Sequence, residues 1–94
     1  MVKVNIFISG RVQGVGFRFF AKQKAQDLKL VGWVRNRLDG QVELEAVGEP
    51  GAIDKLISWL YRGSPLSCVD DVEVKEQAVI TGYPLDQFEI RPTE

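Results

Sequence analysis

"LVGWVRNRLDGQVELEAVG", from Leu30 to Gly48, is the stretch that decides the fold. Asp39-Gly40 lies between two segments in which apolar and polar residues alternate, and this arrangement is a strong signal for a β-hairpin. Alternation places Val34 and Asn36 on one face of the first arm. The opposite face carries one aromatic and two basic residues, which we interpret as solvated or open-face positions: Trp33, Arg35 and Arg37. The sequence therefore predicts two antiparallel strands at the centre of the chain.

A helix is predicted on each side of this hairpin. Before it, apolar residues recur at the three- and four-residue spacing of an amphipathic helix: Phe17, Phe20, Ala21, Ala25 and Leu28. After it, Glu49-Pro50 opens a second helix, which Gly63 and Pro65 close. The apolar stripe of the second helix has the same spacing: Ile53, Leu56, Ile57 and Leu60.

The outer strands complete the pattern. Alternation predicts a strand over residues 2–8 and another around 72–74, and a fifth element at 88–90 can add a short strand. The order is β-α-β-β-α-β, and two helices of this size can cover one face of a four-stranded antiparallel sheet. We therefore expect an α+β, ferredoxin-like sandwich in which residues 1–94 form a single domain.

Composition limits the classes of partner. The chain has 94 residues, 45% of them hydrophobic and 27% charged, which is typical of a globular domain. Its formal net charge is -1, so the chain as a whole has no field that would attract nucleic acid or an anionic membrane. No apolar run is long enough to span a bilayer. One cysteine and no signal segment indicate the cytoplasm, where we expect a monomer.

The absence of histidine narrows the chemistry further. It excludes Ser-His-Asp and Cys-His nucleophiles and most zinc sites. Cys68 has no histidine to activate it and is interpreted as a half-buried structural residue. Asp70 and Asp71 are adjacent, but neighbours on a strand point to opposite faces, so we read them as a solvated strand start. We expect neither a metal nor a cofactor.

"GRVQGVGFRFF", from Gly10 to Phe20, joins the first strand to the first helix. It lacks the third glycine of a dinucleotide fingerprint and the Gly-Lys-Ser/Thr of a P-loop. It offers no capping side chain to the N–H groups of the first helical turn. Arg18 lies in that turn, where a cation is unfavourable by roughly 0.3–1 kcal/mol and an anion is favoured by a similar amount. These features together predict a tetrahedral oxyanion as ligand. Arg11 is read as a surface residue.

The two motifs together resemble a known family. "GRVQGVGFR" followed by "GWVRNRLDGQVE" is similar to acylphosphatase, a small enzyme that hydrolyses carboxyl–phosphate mixed anhydrides. The resemblance covers almost the whole chain, through "GSP" after the second helix to the final strand. It implies a ferredoxin-like fold, an acyl phosphate as substrate, and inorganic phosphate as product or inhibitor.

The resemblance also implies roles for particular residues. Arg18 corresponds to the phosphate-binding arginine, and Asn36 to the residue that orients the attacking water. The backbone of the loop corresponds to a phosphate cradle, formed by Gln13, Gly14, Val15, Gly16 and Phe17.

Other interpretations stay open from the sequence. The chain could be an anion-binding module without chemistry, or an acylphosphatase-like part of a larger carbamoyl-phosphate-using protein. Without the resemblance, Asn36 reads equally well as an asparagine that flanks a turn. An RNA-binding domain of the same architecture would use exposed rings such as Phe7 and Trp33. The substrate could be acetyl phosphate, carbamoyl phosphate, 1,3-bisphosphoglycerate or an acyl-phosphorylated protein.

Overall fold

The structure is a computed structural model that describes residues 1–94 and contains two helices and five strands. In chain order these are β1 (Val2–Arg11), α1 (Phe17–Asp27), β2 (Val31–Asn36), β3 (Val42–Gly48), α2 (Pro50–Arg62), β4 (Cys68–Val79) and β5 (Phe88–Ile90). The βαββαβ order confirms the predicted ferredoxin-like fold. Neither helix combines the length and the apolar character that crossing a membrane requires.

The strands form one sheet in the order β4-β1-β3-β2-β5. β1 pairs antiparallel with β3 and with β4, and β2 pairs antiparallel with β3. β5, however, pairs in parallel with β2, so the sheet is mixed and not purely antiparallel as predicted. The difference arises because the chain leaves β4 at one edge of the sheet, crosses to the other edge, and then runs in the same direction as β2.

The central hairpin is confirmed at its turn. Gly40 has φ 94°, a left-handed conformation that glycine adopts without strain. The Arg37 N–H donates to the Gln41 carbonyl oxygen at 2.8 Å, and the Gln41 N–H donates to the Asp39 carboxylate at 3.0 Å. These bonds fix the register in which Asn36, the last residue of β2, lies opposite Val42.

The core lies between the sheet and the two helices. β1 contributes Val4, Ile6 and Ile8, α1 contributes Phe17, Ala21 and Ala25, and α2 contributes Ile53, Leu56 and Leu60. Phe20, which the helical spacing places in the apolar stripe of α1, is instead 37% exposed. At 3.6 residues per turn, Phe20 lies about 60° around the helix from Phe17, at the edge of the buried stripe.

The face of the sheet opposite the helices carries an ion-pair cluster. Arg35 Nη2 and Arg37 Nη1 each lie 2.8 Å from Glu43 Oε1, and Asn5 Nδ2 donates to Glu43 Oε2 at 3.0 Å. Burial alone would raise the pKa of Glu43, but the hydrogen bonds from these three side chains outweigh it and lower that pKa. The prediction that Arg35 and Arg37 are simply solvated is therefore wrong, because both are bound to a buried carboxylate.

Trp33 is buried on the same face, with 8% of its surface exposed. The guanidinium carbons of Arg35 and Arg91 lie 4.8 and 5.0 Å from its ring centroid. Its indole N–H and the Tyr83 hydroxyl both donate to Glu45. Burial, together with the hydrogen bond to Glu45, raises the pKa of Tyr83.

Cys68 differs from its predicted environment. Its side chain is exposed, whereas a half-buried position was expected. Cys68 begins β4, which has a neighbouring strand on only one side, so the start of this edge strand is left uncovered. Asp70 and Asp71 are exposed near the same end of β4, in agreement with a solvated strand start.

Candidate functional site

The loop between β1 and α1 turns through two glycines in the left-handed region. Gly14 has φ 74°, and Gly16, which is the N-cap of α1, has φ 75°. A Cβ at Gly14 would meet no atom within 4 Å, and one at Gly16 would meet only the Phe20 ring at 3.5 Å. Both glycines are therefore required by backbone conformation and not by lack of space.

This loop leaves a row of backbone donors unpaired. None of the N–H groups from Gln13 to Phe17 donates a hydrogen bond to an acceptor in the chain. No side chain caps α1, and its first turn contains no acidic residue, which confirms the predicted open helix start. Unpaired donors and the positive end of the helix dipole favour an anion at this position.

A cavity of about 200 Å³ opens beside these donors. Its polar part is formed by Gly14, Gly16 and Arg18. The apolar part is formed by Val12, Phe17, Phe19 and Ile90. Arg18 is half-buried and makes no salt bridge, whereas three other arginines of the chain are paired with carboxylates: Arg35, Arg37 and Arg91. Its guanidinium is therefore free to bind an anion.

Two side chains fasten the loop to the rest of the fold. Gln13 Nε2 donates to the carbonyl oxygens of Arg37 and Gln41, each at 2.8 Å. On the other side, Ser64 Oγ donates to the Val15 carbonyl oxygen at 3.0 Å. Ser64 is buried in the connection between α2 and β4. The conformation of the loop is thus held by the hairpin and by the end of α2.

Asn36 lies at the end of β2 with 8% of its surface exposed. It follows Val34 by two residues and therefore faces the helices, as the alternation predicts. Its Oδ1 atom is buried and has no hydrogen-bond partner, although such an orphan acceptor costs about 1–3 kcal/mol. The Asn36 carbonyl oxygen accepts the Glu94 N–H at 3.0 Å. The backbone of Asn36 is therefore held in place, whereas its side-chain oxygen is unused.

The predicted site residues are only partly brought together. Gly14, Gly16, Phe17 and Arg18 line one cavity. Gln13 and Val15 do not line it. The Gln13 side chain donates one of the hydrogen bonds that hold the loop, and the Val15 carbonyl oxygen accepts another. Asn36 does not line it either, but Gln13 binds the carbonyl oxygen of the residue next to Asn36. No three carboxylate or thiol side chains come together as a metal site.

Four residues of the site were missed by sequence reasoning: Val12, Phe19, Ser64 and Ile90. Ser64 has a weak signal, since a small hydroxyl follows the glycine that ends α2. Phe19 is an aromatic residue that lies outside the apolar stripe of α1. An aromatic residue in such a position indicates an exposed ring. Ile90 has no local signal, because the parallel pairing of β5 with β2 brings it to the cavity.

Comparisons with known proteins agree with this arrangement. The family model described as Acylphosphatase matches residues 4–90. An acylphosphatase of Methylococcus capsulatus is 48% identical over 79 residues, which cover 84% of this chain and 86% of that protein. One of Acaryochloris marina is 53% identical over 79 residues, covering 84% and 85%. The crystal structure of acylphosphatase from Bacillus subtilis matches with a TM-score of 0.91 at 40% identity, covering 97% of this chain and 99% of that one.

Proposed function

The chain belongs to the acylphosphatase family of hydrolases, and on that premise we propose a mechanism by which it hydrolyses acyl phosphates. Arg18 and the backbone N–H groups of residues 13–17 bind the phosphoryl group, and Asn36 orients the attacking water. The products are a carboxylate and inorganic phosphate. We propose that neither a metal ion nor a cofactor takes part and that residues 1–94 act as one domain.

The observation that carries the proposal is the combination of unpaired donors and an unpaired cation at one cavity. The N–H groups of the 13–17 loop have no acceptor in the chain, and Arg18 has no carboxylate partner. A phosphoryl group supplies several anionic oxygens that accept from both. Because Gln13 and Ser64 already hold the loop, its dipoles need no reorganisation when charge develops in the transition state.

Arg18 is suited to the phosphoryl group by its geometry as well as its charge. A guanidinium offers a planar fork of donors that can bind two phosphate oxygens at once. Its place in the first turn of α1, unfavourable for a lone cation, becomes favourable when a dianion lies between the arginine and the helix N-terminus.

Asn36 is proposed to act through its unused oxygen. A buried Oδ1 without a partner can accept a hydrogen bond from a water molecule. This bond aims a lone pair of the water oxygen at phosphorus. The bond from Gln13 to the Arg37 carbonyl oxygen keeps the end of β2 in a fixed position relative to the phosphate loop.

The reaction needs no acid from the protein. The water oxygen forms a bond to phosphorus while the bond from phosphorus to the acyl oxygen breaks, and the acyl group leaves as a carboxylate that is stable without protonation. Asparagine is not a base, so the proton of the water passes to a phosphate oxygen of the substrate. The protein supplies position and charge stabilisation, which are the main tasks in phosphoryl transfer.

The alternatives have less support. A module that only binds an anion needs the loop and Arg18 but gives no role to the unpaired oxygen of Asn36. An RNA-binding sheet needs exposed rings, whereas Trp33 is 8% exposed and enclosed by side chains. A monomeric state, a cytoplasmic location and the absence of a nucleic-acid partner stay predictions.

A turnover assay tests the proposed function. The purified chain is incubated with benzoyl phosphate in the presence of excess EDTA, and the release of inorganic phosphate is measured. We expect hydrolysis well above the uncatalysed rate, unchanged by EDTA and inhibited competitively by phosphate. Competitive binding of phosphate without turnover would instead identify an anion-binding module.

A further inference from the structure

Two exposed apolar side chains lie in the same cavity as the phosphate loop. Phe19 is 55% exposed and directly follows Arg18 on α1, whereas Ile90 is 40% exposed and belongs to β5. Both line the cavity, together with the buried Val12. The apolar residues thus come from separate parts of the sequence and meet beside the arginine.

The position of the Phe19 ring is supported by its neighbour. Phe19 packs edge-to-face against Phe20, with the ring centroids 5.5 Å apart and an angle of 82° between the planes. Such a geometry is favourable for aromatic pairs, so it holds the ring in place without burying it. A ligand that covers Phe19 and Ile90 would remove apolar surface from water at little conformational cost.

The lining of the cavity carries positive charge only. Arg18 is the only charged side chain in its lining, and no carboxamide, hydroxyl or carboxylate side chain accompanies it. The cation and the neighbouring backbone donors can serve one phosphoryl group. A second phosphate on the acyl part would find no second cation, and a carbamoyl amide would find no side-chain partner.

We propose that Val12, Phe19 and Ile90 form a subsite for the acyl group, and that this chain prefers acyl phosphates with an aromatic or other bulky apolar acyl part. The proposal rests on the proposed function, because it assigns a binding site to the acyl part of the same acyl phosphate substrate. A cavity of about 200 Å³ is below the roughly 300–1,000 Å³ of sites for drug-sized ligands, which suits a small molecule.

Substrate comparison in two variants tests the subsite. The kcat/KM is measured for benzoyl phosphate and for acetyl phosphate in the parent chain, in Phe19→Ala and in Ile90→Ala. We expect the ratio of benzoyl to acetyl kcat/KM to fall about tenfold in each variant, since a lost apolar contact typically changes discrimination by 10-fold or more. The inhibition constant of inorganic phosphate, which has no acyl part, should change less than twofold.

Val74→Ala is the matched control, because Val74 is, like Ile90, a β-strand residue with 40% of its surface exposed, but it lies on β4 and does not line the cavity. Its ratio should stay within twofold of the parent ratio. An unchanged ratio in Phe19→Ala and Ile90→Ala, or an equal fall in Val74→Ala, would overturn the subsite. Failure of the parent chain to hydrolyse either substrate would overturn the proposed function itself, so the two failures are distinguishable.

Discussion

The side-chain amide nitrogen of Gln13 lies 2.8 Å from the backbone carbonyl oxygen of Arg37. This hydrogen bond joins the phosphate loop to the hairpin at the residue that follows Asn36. A second bond of the same length from Gln13 to the Gln41 carbonyl oxygen reinforces it. The Gln13 side chain therefore links the proposed phosphate loop directly to the hairpin that carries the proposed water site.

Replacing Gln13 with glutamate should remove the hydrogen bonds that join the phosphate loop to the hairpin. The carboxylate cannot donate to the two carbonyl oxygens, so we expect unfolding free energy to fall by about 1–3 kcal/mol. We also expect kcat to fall by about tenfold to a hundredfold, since small displacements of a catalytic group are costly. Denaturant unfolding and steady-state kinetics measure both. Gln23→Glu, at an exposed position of α1, is the control and should change neither.

Replacing Arg18 should remove phosphate binding. We expect Arg18→Ala to lower kcat/KM for benzoyl phosphate by at least about 10²–10³-fold and to weaken inhibition by phosphate. Arg18→Lys should also fail, because a point charge cannot reproduce the bidentate fork. Arg62→Ala removes an exposed arginine at the end of α2 and serves as the charge-matched control. Parental kinetics in either Arg18 variant would show that the assignment is wrong.

Replacing Asn36 should affect turnover without affecting phosphate binding. Its Oδ1 atom is buried without a partner, so Asn36→Ala removes an unsatisfied acceptor and should not lower the melting temperature. We expect kcat to fall by about a hundredfold or more and the phosphate inhibition constant to stay within about twofold. Weaker phosphate inhibition with preserved turnover would make Asn36 a ligand contact and not a water-orienting residue.

The pH dependence of stability should reflect Glu43. A carboxyl group whose pKa is lower in the folded chain stabilises the fold above its unfolded pKa, and that contribution is lost as the pH falls through the folded pKa. The pKa of Glu43 lies below its ordinary value of 4.5, so its contribution is present at neutral pH and is lost in acid, below about pH 4 to 5.

We therefore expect Glu43→Gln to lower the free energy of unfolding by about 1–3 kcal/mol at pH 7. The difference from the parent chain should shrink as the pH is lowered towards 3. Urea unfolding at several pH values measures it. Glu76→Gln, on the exposed strand β4, is the control. A difference between Glu43→Gln and the parent that does not vary with pH would contradict the assigned role of the carboxylate.

The parts of this structure that depend on neighbours in sequence were predictable. The Asp39-Gly40 turn and the uncapped start of α1 at Gly16 follow from local backbone chemistry, and both are confirmed. Burial of Asn36 also follows, because strand alternation fixes its face once Val34 is assigned to the core. The family resemblance added the roles of Arg18 and Asn36, which no local pattern supplies.

The parts that depend on tertiary pairing were not predictable. The ion pairs of Arg35 and Arg37 require Glu43 to lie beside them, and this follows from the register of β2 against β3. Ile90 reaches the cavity only because the chain crosses from β4 to the opposite edge of the sheet, where β5 pairs with β2. Phe20 was misassigned because helical spacing alone does not show where the buried stripe ends.

The central claim is that the loop backbone binds the phosphoryl group, and amide NMR tests it most directly. Inorganic phosphate is titrated into the ¹⁵N-labelled chain, and the N–H resonances of residues 13–17 are followed. We predict that these resonances shift together and saturate with one dissociation constant, equal to the inhibition constant of phosphate. The same titration of Arg18→Ala should leave them almost unmoved. Resonances of residues 13–17 that do not respond at phosphate concentrations that inhibit the enzyme would contradict the account.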